Sequence, residues 1–160
     1  MRIIFVMGPA FSGKTVYIKR NFPDAKRVPI SKWTEMVYSA DTNDMIEEIA
    51  SNVELYCLTE LKERIRVYPD NRTIILEHAL LRKEDRKFYL DGVREVTDLP
   101  VECIVMDPDS DTVKKLTDNT AQLMNFYMYE KKMMEMPTVE EGFASVTVVH
   151  PEFIEEDWNI

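Results

Sequence analysis

Short apolar runs alternate with longer amphipathic stretches along this 160-residue chain. The runs are rich in β-branched and aromatic residues and have the length of buried strands. Strands are predicted at 2–7, 26–30, 73–77, 102–107 and 145–149. Apolar positions at helical spacing fill the intervening stretches, and prolines end several of them. Helices are predicted at 14–21, 31–40, 43–67, 83–96 and 111–136.

The alternation of strands and helices predicts the fold class. Such a pattern is typical of an α/β protein with a mostly parallel, five-stranded sheet and helices on both faces, a three-layer sandwich. The length fits a single domain, 1–160, and no repeat or Pro/Gly/Ser-rich linker divides it. Residues 151–160 form an acidic C-terminal tail.

A glycine-rich loop lies between the first strand and the first helix. Its sequence, GPAFSGKT from Gly8 to Thr15, fits G-x-x-x-x-G-K-[ST] at every fixed position. In such a P-loop, backbone N–H groups converge on an anion at the helix N-terminus. Lys14 is expected to reach the β- and γ-phosphates, and the hydroxyl of Thr15 to bind Mg²⁺. The residues expected to hold the nucleotide are Gly8, Pro9, Ala10, Phe11, Ser12, Gly13, Lys14, Thr15 and Val16. The loop therefore predicts ATP and Mg²⁺ as ligands of a P-loop NTPase domain.

Two carboxylates are candidates for binding the metal ion. P-loop sites commonly add an acidic residue from the end of another strand. Glu77 closes the third predicted strand and Asp107 the fourth, and Glu77 is the better candidate. His78 follows at the same strand end, where ligands sit in open α/β sheets. A lone histidine is more often structural than catalytic, so both interpretations of His78 stay open.

Charge and cysteine content narrow the class of protein. The net charge of −9, without a long block of Lys or Arg, disfavours extended nucleic-acid binding. No apolar run approaches the roughly 20 residues that span a bilayer, and the N-terminus is typical of a strand, not a signal peptide. Cys57 and Cys103 each lie in an apolar segment, which predicts buried thiols and a reducing, cytoplasmic location.

Residues 122–136 are dense in methionine and aromatic residues. A helix packed on the sheet is the usual explanation of such a stretch. The alternative is an adaptable apolar wall for a base or a partner, since methionine repacks easily.

Three segments together resemble the small P-loop kinases of the polynucleotide kinase type, which are similar to zeta-toxin and chloramphenicol-phosphotransferase kinases. The first is the loop itself. The second, TIILEHALLRKEDRKFYLDGVRE, places Glu77 at that family's acidic position and Arg86 at its arginine. The third is PTVEEGF at 137–143, a turn that leads into the last strand.

The resemblance implies a sheet of order 2-3-1-4-5, a helical lid at 111–136, and transfer of the ATP γ-phosphoryl to a hydroxyl acceptor. The family's acidic general base after the second strand is missing, since Trp33 or Thr34 stands at its position and Glu35 lies slightly out of register. The lid arginines are missing as well, because residues 107–136 contain none. Lys115 or Lys114 is expected to replace them, with Lys14, Glu77 and Arg86 as the other catalytic residues.

Two functions remain open at this point. One is an ATP-dependent kinase that acts on a polynucleotide 5′-hydroxyl or on a small acceptor such as a nucleoside, sugar or antibiotic. The other is a non-catalytic nucleotide-binding module, or a degenerate kinase, that acts through a protein partner. A GTPase switch is disfavoured because the guanine-reading N-K-x-D pattern is absent.

Overall fold

The computed structural model describes residues 1–38 and 43–152. The strands are β1 (Arg2–Met7), β2 (Lys26–Pro29), β3 (Thr73–Glu77), β4 (Val101–Met106) and β5 (Ser145–Val149). The helices are α1 (Lys14–Asn21), α2 (Ile30–Tyr38), α3 (Asn43–Val67), α4 (Lys83–Arg94), α5 (Ser110–Leu116) and α6 (Ala121–Met133). A short 3₁₀ helix, Val139–Glu141, precedes β5.

The five strands form one parallel sheet in the order β2-β3-β1-β4-β5. This confirms the α/β class and the strand order that the resemblance implied. Val6 of β1 lies opposite Glu77 of β3 on one side and Ile104 of β4 on the other. Because all strands run the same way, the loops that follow β1, β3 and β4 meet at one edge of the sheet. That edge carries the P-loop.

Residues of β1 alternate between two hydrophobic cores because successive side chains of a strand point to opposite faces. Ile3 and Phe5 join the larger core, to which α3 and α4 contribute. Ile4 and Val6 join the smaller one, in which Ile18 of α1 is buried. Helices therefore cover both faces of the sheet, as the sequence predicts. Cys57 and Cys103 are free and buried in the larger core, as expected.

Several element boundaries differ from the prediction. Ile30 begins α2 instead of ending β2, because an apolar residue at a direct strand-to-helix junction fits both periodicities. β4 begins one residue earlier, at Val101, and α4 ends at Arg94. The predicted end of the second helix at residue 40 lies outside the described residues, as do residues 153–160 of the tail. No helix in 1–38 or 43–152 combines the length and apolar character needed to cross a membrane.

The segment predicted as one helical lid, 111–136, is two helices between β4 and β5. The turn between α5 and α6 contains Asp118 and Asn119 with φ of 51° and 54°. Asn and Asp tolerate this left-handed conformation better than most residues, so a helix break there has a sequence signal. The prediction that the Met-rich helix faces the core is wrong for α6, in which Tyr127 alone is buried. The helix instead exposes Phe126, Met128 and Tyr129.

Candidate active site

The P-loop leaves the N-terminus of α1 open toward one edge of the sheet. Gly8, Phe11 and Gly13 have φ of 147°, 64° and 85°, a region that favours glycine, and glycine occupies two of these three positions. A Cβ on Gly8 would lie 3.1 Å from both the backbone oxygen and the Cβ of Met106. No side chain caps α1, whose first N–H groups therefore have no intrahelical or side-chain acceptor. This is the geometry of an anion site.

Ser12 adds a polar group to the interior of this loop. Its side chain is buried, and its hydroxyl has no hydrogen-bond partner among the described residues. A buried hydroxyl without a partner is costly, so a polar ligand in the loop would satisfy it.

Lys14 folds back over the loop. Its Nζ donates to the carbonyl oxygens of Gly8 at 2.7 Å and Pro9 at 2.9 Å. Burial lowers the pKa of Lys14 to about 8, although the carboxylates of Glu77 and Glu130 raise it. The ammonium group therefore lacks a fully compensating negative charge, which phosphate oxygens would supply.

Thr15 and Glu77 meet as the expected metal-binding pair. The Thr15 hydroxyl donates to Oε1 of Glu77 at 2.7 Å, and Arg27 Nε lies 3.6 Å from Oε2 of the same carboxylate. The Glu77 side chain is buried at the carboxyl end of β3. Mg²⁺ is usually bound through one or two carboxylates together with phosphate oxygens and water. A hydroxyl and a carboxylate beside an open anion site fit that requirement. Mg²⁺ held there would neutralise charge on the phosphates.

Asp107, the other candidate for the metal-binding carboxylate, does not contact Thr15. Its carboxylate pairs with Lys131 of α6 at 3.3 Å and faces His150 at 3.4 Å. No hydrogen bond joins Asp107 to Thr15 in the described part of the chain. The geometry therefore favours Glu77 as the carboxylate next to Thr15.

A cavity of about 500 Å³ opens beside the P-loop. It lies between the loop, the end of β3, and helices α2, α3 and α6. Its charged or titratable lining residues are Lys14, Glu54, Glu77, His78 and Glu130. Ile30, Val53 and Phe126 contribute apolar surface. A second molecule could therefore sit next to phosphates held in the loop.

Glu130 of α6 contacts the P-loop. Its Oε1 accepts the backbone N–H of Ala10 at 2.8 Å. The contact joins residues 120 positions apart in sequence. A carboxylate thus accepts a backbone N–H of the loop that is expected to bind phosphate.

Glu54 of α3 forms a hydrogen-bonded group with two neighbours on the opposite wall. His78 Nε2 lies 2.9 Å and 2.8 Å from the two Glu54 oxygens, and the Tyr89 hydroxyl donates to Oε2. The pKa of Glu54 lies below its usual range. Partial burial raises it, but the hydrogen bond and charge of His78 and the hydrogen bond from Tyr89 lower it by more.

Arg86 lies away from the phosphate loop, inside the protein. It donates two hydrogen bonds to the Glu141 carboxylate, at 2.7 and 3.2 Å, and the side chains of Arg86 and Glu141 are 0% and 4% exposed. Its Nη1 also donates to the carbonyls of Leu80 and Glu135, both at 2.9 Å. Arg86 therefore joins the loop after β3, the chain after α6 and the 3₁₀ helix. It is not brought to the cavity with Lys14 and Glu77.

The predicted lid cations also lie apart from the cavity. Lys114 and Lys115 belong to the exposed last turn of α5 and do not line it. The residues of the predicted lid segment that do line it are Phe126 and Glu130, both from α6.

Sequence reasoning missed Glu54 and Glu130 as site residues. Neither follows a strand or belongs to a motif, and each is one acid among many on an amphipathic helix. Only the packing of α3 and α6 beside the P-loop brings them to the cavity. Apolar Phe126 was part of the Met-rich stretch for which an adaptable wall was the alternative interpretation.

Comparison with known structures identifies the fold. No protein-family model matches the sequence, and a search of curated proteins gives no match. Solved structures do match over nearly the whole chain. Kti12 of Chaetomium thermophilum, solved with ADP-AlF3, has a TM-score of 0.60 at 14% identity, covering 98% of this chain and 93% of that one. The fold is that of the P-loop kinases.

Two kinase structures match the same fold. A sugar kinase from Janibacter sp. HTCC2649 has a TM-score of 0.57 at 20% identity, with 94% of this chain and 85% of that chain covered. A gluconokinase from Sinorhizobium meliloti 1021 has a TM-score of 0.55 at 12% identity, with 93% and 82% covered. At these identities the likeness concerns the fold. It does not single out the polynucleotide kinase type.

Proposed function

We propose that this protein is an ATP-dependent kinase that transfers the γ-phosphoryl group to a hydroxyl acceptor in the cavity beside its P-loop. The observation that carries the proposal is the Thr15–Glu77 hydrogen bond of 2.7 Å, which joins a hydroxyl and a carboxylate that suit Mg²⁺ and that both line the cavity at the start of α1. Phosphoryl transfer requires positioning and charge neutralisation more than covalent help from the protein. Lys14, Thr15 and Glu77 supply both at the phosphate end.

The acceptor is proposed to be a small hydroxyl compound that is uncharged or cationic. Among the residues that the structure describes, three carboxylates line the cavity, from Glu54, Glu77 and Glu130, and Lys14 is the one Lys or Arg. Phosphates bound in the loop would offset the charge of Lys14. The remaining field repels a phosphodiester chain, which disfavours a polynucleotide end as the acceptor.

A non-catalytic nucleotide-binding role is the second candidate. It is favoured by the absence of arginine from residues 107–136 and by the position of Lys115 outside the cavity. An arginine that stabilises the transferring phosphoryl is worth about 10³ to 10⁵ in rate where it acts. A protein that lacks it could bind ATP and transfer phosphate slowly or not at all.

A transfer assay separates the two candidates. The protein is incubated with Mg²⁺ and ATP labelled at the γ-phosphate, and with glycerol, sorbitol, glucose, kanamycin or a 5′-hydroxyl oligonucleotide. We expect label on a small polyol, sugar or amino sugar and not on the oligonucleotide. Lys14→Ala should lower transfer by about 100-fold or more. Lys19→Ala, which removes an exposed cation from the same helix, should leave it unchanged.

The contrary results are distinct. Label on the oligonucleotide alone would contradict the proposed acceptor class and support the polynucleotide type. ATP bound with no transfer to any acceptor or to water would support the non-catalytic role.

A further inference from the structure

Glu54, His78 and Tyr89 form a hydrogen-bonded group on the acceptor side of the cavity. Glu54 comes from α3, His78 follows β3, and Tyr89 belongs to α4. Glu54 and His78 both line the cavity together with Lys14 and Thr15. The carboxylate thus faces the same space into which the γ-phosphate would project from the loop.

The exposure of Glu54 distinguishes it from a structural carboxylate. Glu141, which pairs with Arg86 in the interior, is 4% exposed, whereas the Glu54 side chain is 54% exposed to the cavity and solvent. Two donors nevertheless fix its orientation. Oε2 accepts from both Tyr89 and His78, whereas Oε1 accepts from His78 alone. Oε1 therefore keeps capacity for a further donor.

The tautomer of His78 follows from its contacts. A nitrogen that faces a carboxylate at 2.8 Å carries the proton, so Nε2 is the donor. His78 thus acts as a donor that orients Glu54.

We propose that Glu54 accepts the proton of the acceptor hydroxyl, in the role of the general base that the sequence lacks after β2. The inference rests on the proposed kinase function. The acceptor oxygen bonds to the γ-phosphorus while the bond from that phosphorus to the β,γ-bridging oxygen breaks, and ADP leaves with the electron pair. The hydroxyl proton passes to the Glu54 carboxylate, which later releases it to solvent. His78 and Tyr89 are positioning residues.

The low pKa of Glu54 suits this role. In phosphoryl transfer the attacking oxygen bonds late, so a carboxylate serves more by orienting the hydroxyl than by high basicity. A base with a low pKa also stays ionised at neutral pH. The titratable or charged groups around Glu54 are His78, Tyr89, Cys57, Lys14, Glu77 and Glu130. Among them, removal of the Tyr89 hydroxyl deletes a contact that lowers the Glu54 pKa, and so raises that pKa.

Hydrolysis of MgATP tests the proposal with water as the acceptor, so no other substrate has to be known. ATP dissociation constants and hydrolysis rates are measured for the wild type, Glu54→Gln, Glu63→Gln and Glu35→Gln. Glu54→Gln keeps the size of the side chain and one acceptor oxygen, but it has no carboxylate to take a proton. We expect its kcat to fall by about 10² to 10⁴-fold, the usual contribution of a general base, with an ATP dissociation constant within about threefold of the wild type. Glu63→Gln, on the same helix but outside the cavity, should match the wild type.

The pH dependence of kcat tests the positioning role of Tyr89. Activity requires ionised Glu54, so the acid limb of kcat reports its pKa. Tyr89→Phe should move that limb to higher pH by about half a unit or more. A variant that only loosened the fold would lower activity without this shift.

Each contrary result has a separate meaning. If Glu54→Gln hydrolyses ATP at the wild-type rate, or if Glu35→Gln alone loses activity, the assignment of Glu54 is overturned and the kinase function stands. Wild-type protein that binds ATP but neither hydrolyses it nor transfers phosphate to any of the tested acceptors also overturns the assignment and leaves only nucleotide binding. Failure of the wild type to bind MgATP overturns both proposals.

Discussion

Arg86→Met should destabilise this protein severely, because Arg86 is the buried centre of a hydrogen-bonded junction. The substitution leaves the Glu141 carboxylate buried without its cation, and it removes the donor from the carbonyls of Leu80 and Glu135. Breaking a buried ion pair from one side costs about 3–5 kcal/mol. Native proteins of this kind have a total unfolding free energy of about 5–15 kcal/mol, so the loss is a large share of the total.

The expected shift in melting temperature follows from this free energy. For a chain of this length, 1 kcal/mol corresponds to about 2–4 °C, so a loss of about 4 kcal/mol lowers Tm by about 8–16 °C. Urea unfolding followed by circular dichroism measures the free energy, and a thermal scan measures Tm. Arg66→Met is the matched control, since Arg66 is exposed and its ion pair with Glu63 spans 3.9 Å at the surface. It should cost about 1 kcal/mol or less.

A double-mutant cycle separates the ion pair from the carbonyl contacts. Arg86→Met together with Glu141→Leu removes the unpaired charge, so the double variant should be more stable than Arg86→Met alone. It should stay less stable than the wild type, because the two carbonyls still lack a donor. A Tm shift below about 2 °C for Arg86→Met, or a loss equal to that of Arg66→Met, would refute this account of Arg86.

Three further predictions concern helix packing, the P-loop lysine and Glu130. Gly92→Ala should destabilise by about 1 kcal/mol, because its Cβ would lie 2.5 Å from a Leu58 methyl and the overpacking outweighs the gain in helix propensity. ATP binding should take up about half a proton at pH 8 and less at pH 6, because the phosphates raise the pKa of Lys14 from about 8 toward its usual value. Calorimetry in buffers of different ionisation enthalpy measures this proton uptake. Glu130→Gln should tighten ATP binding by about fivefold, since it removes a negative charge that accepts the Ala10 N–H.

Clear results would contradict each of these. A more stable Gly92→Ala protein would show that Leu58 moves aside freely. Equal proton uptake at pH 6 and pH 8 would exclude a titrating Lys14. For Glu130, weaker ATP binding in the Gln variant, or an equal change in Glu135→Gln, would show that the carboxylate does not compete with phosphate.

The lowered pKa of Lys14 also predicts how the unfolding free energy changes with pH. A lysine with a folded pKa near 8 and an unfolded pKa near 10.5 binds fewer protons in the folded state between those values. Its contribution to the unfolding free energy therefore rises as pH increases from 8 to 10.5. Below pH 8 the buried charge is a net cost, so Lys14→Met should raise the unfolding free energy at pH 7 and lose that advantage by pH 10.5. Urea titrations at the two pH values measure the difference.

The fold and the phosphate end of the site could be predicted from the sequence because their signals are local. The GPAFSGKT spacing, the strand before it and the acid at the end of β3 all lie in short continuous segments. Because β3 pairs in parallel with β1, Glu77 at the end of β3 lies beside the P-loop that follows β1. The bounds of β1, β3, β5, α1 and α3 agree with the prediction for the same reason.

The acceptor side could not be predicted because it depends on how helices pack. Glu130 meets Ala10 across 120 residues and Glu54 meets Tyr89 across 35. No spacing rule relates these pairs. Composition misled the interpretation of α6, where a high content of Met and aromatic residues suggested burial although Phe126 is 48% exposed at the cavity. Arg86 was expected near the catalytic centre through its motif, yet the PTVEEGF turn supplies its partner Glu141 in the interior.

Binding of ATP to the P-loop is the most direct test of the central claim. Isothermal calorimetry with and without Mg²⁺ compares ATP and GTP for the wild type, Lys14→Ala and the control Lys19→Ala. The account predicts Mg²⁺-dependent binding with a preference for ATP, abolished in Lys14→Ala and retained in Lys19→Ala. Folded wild-type protein that binds neither nucleotide, or that binds ATP equally well without Lys14, would contradict it.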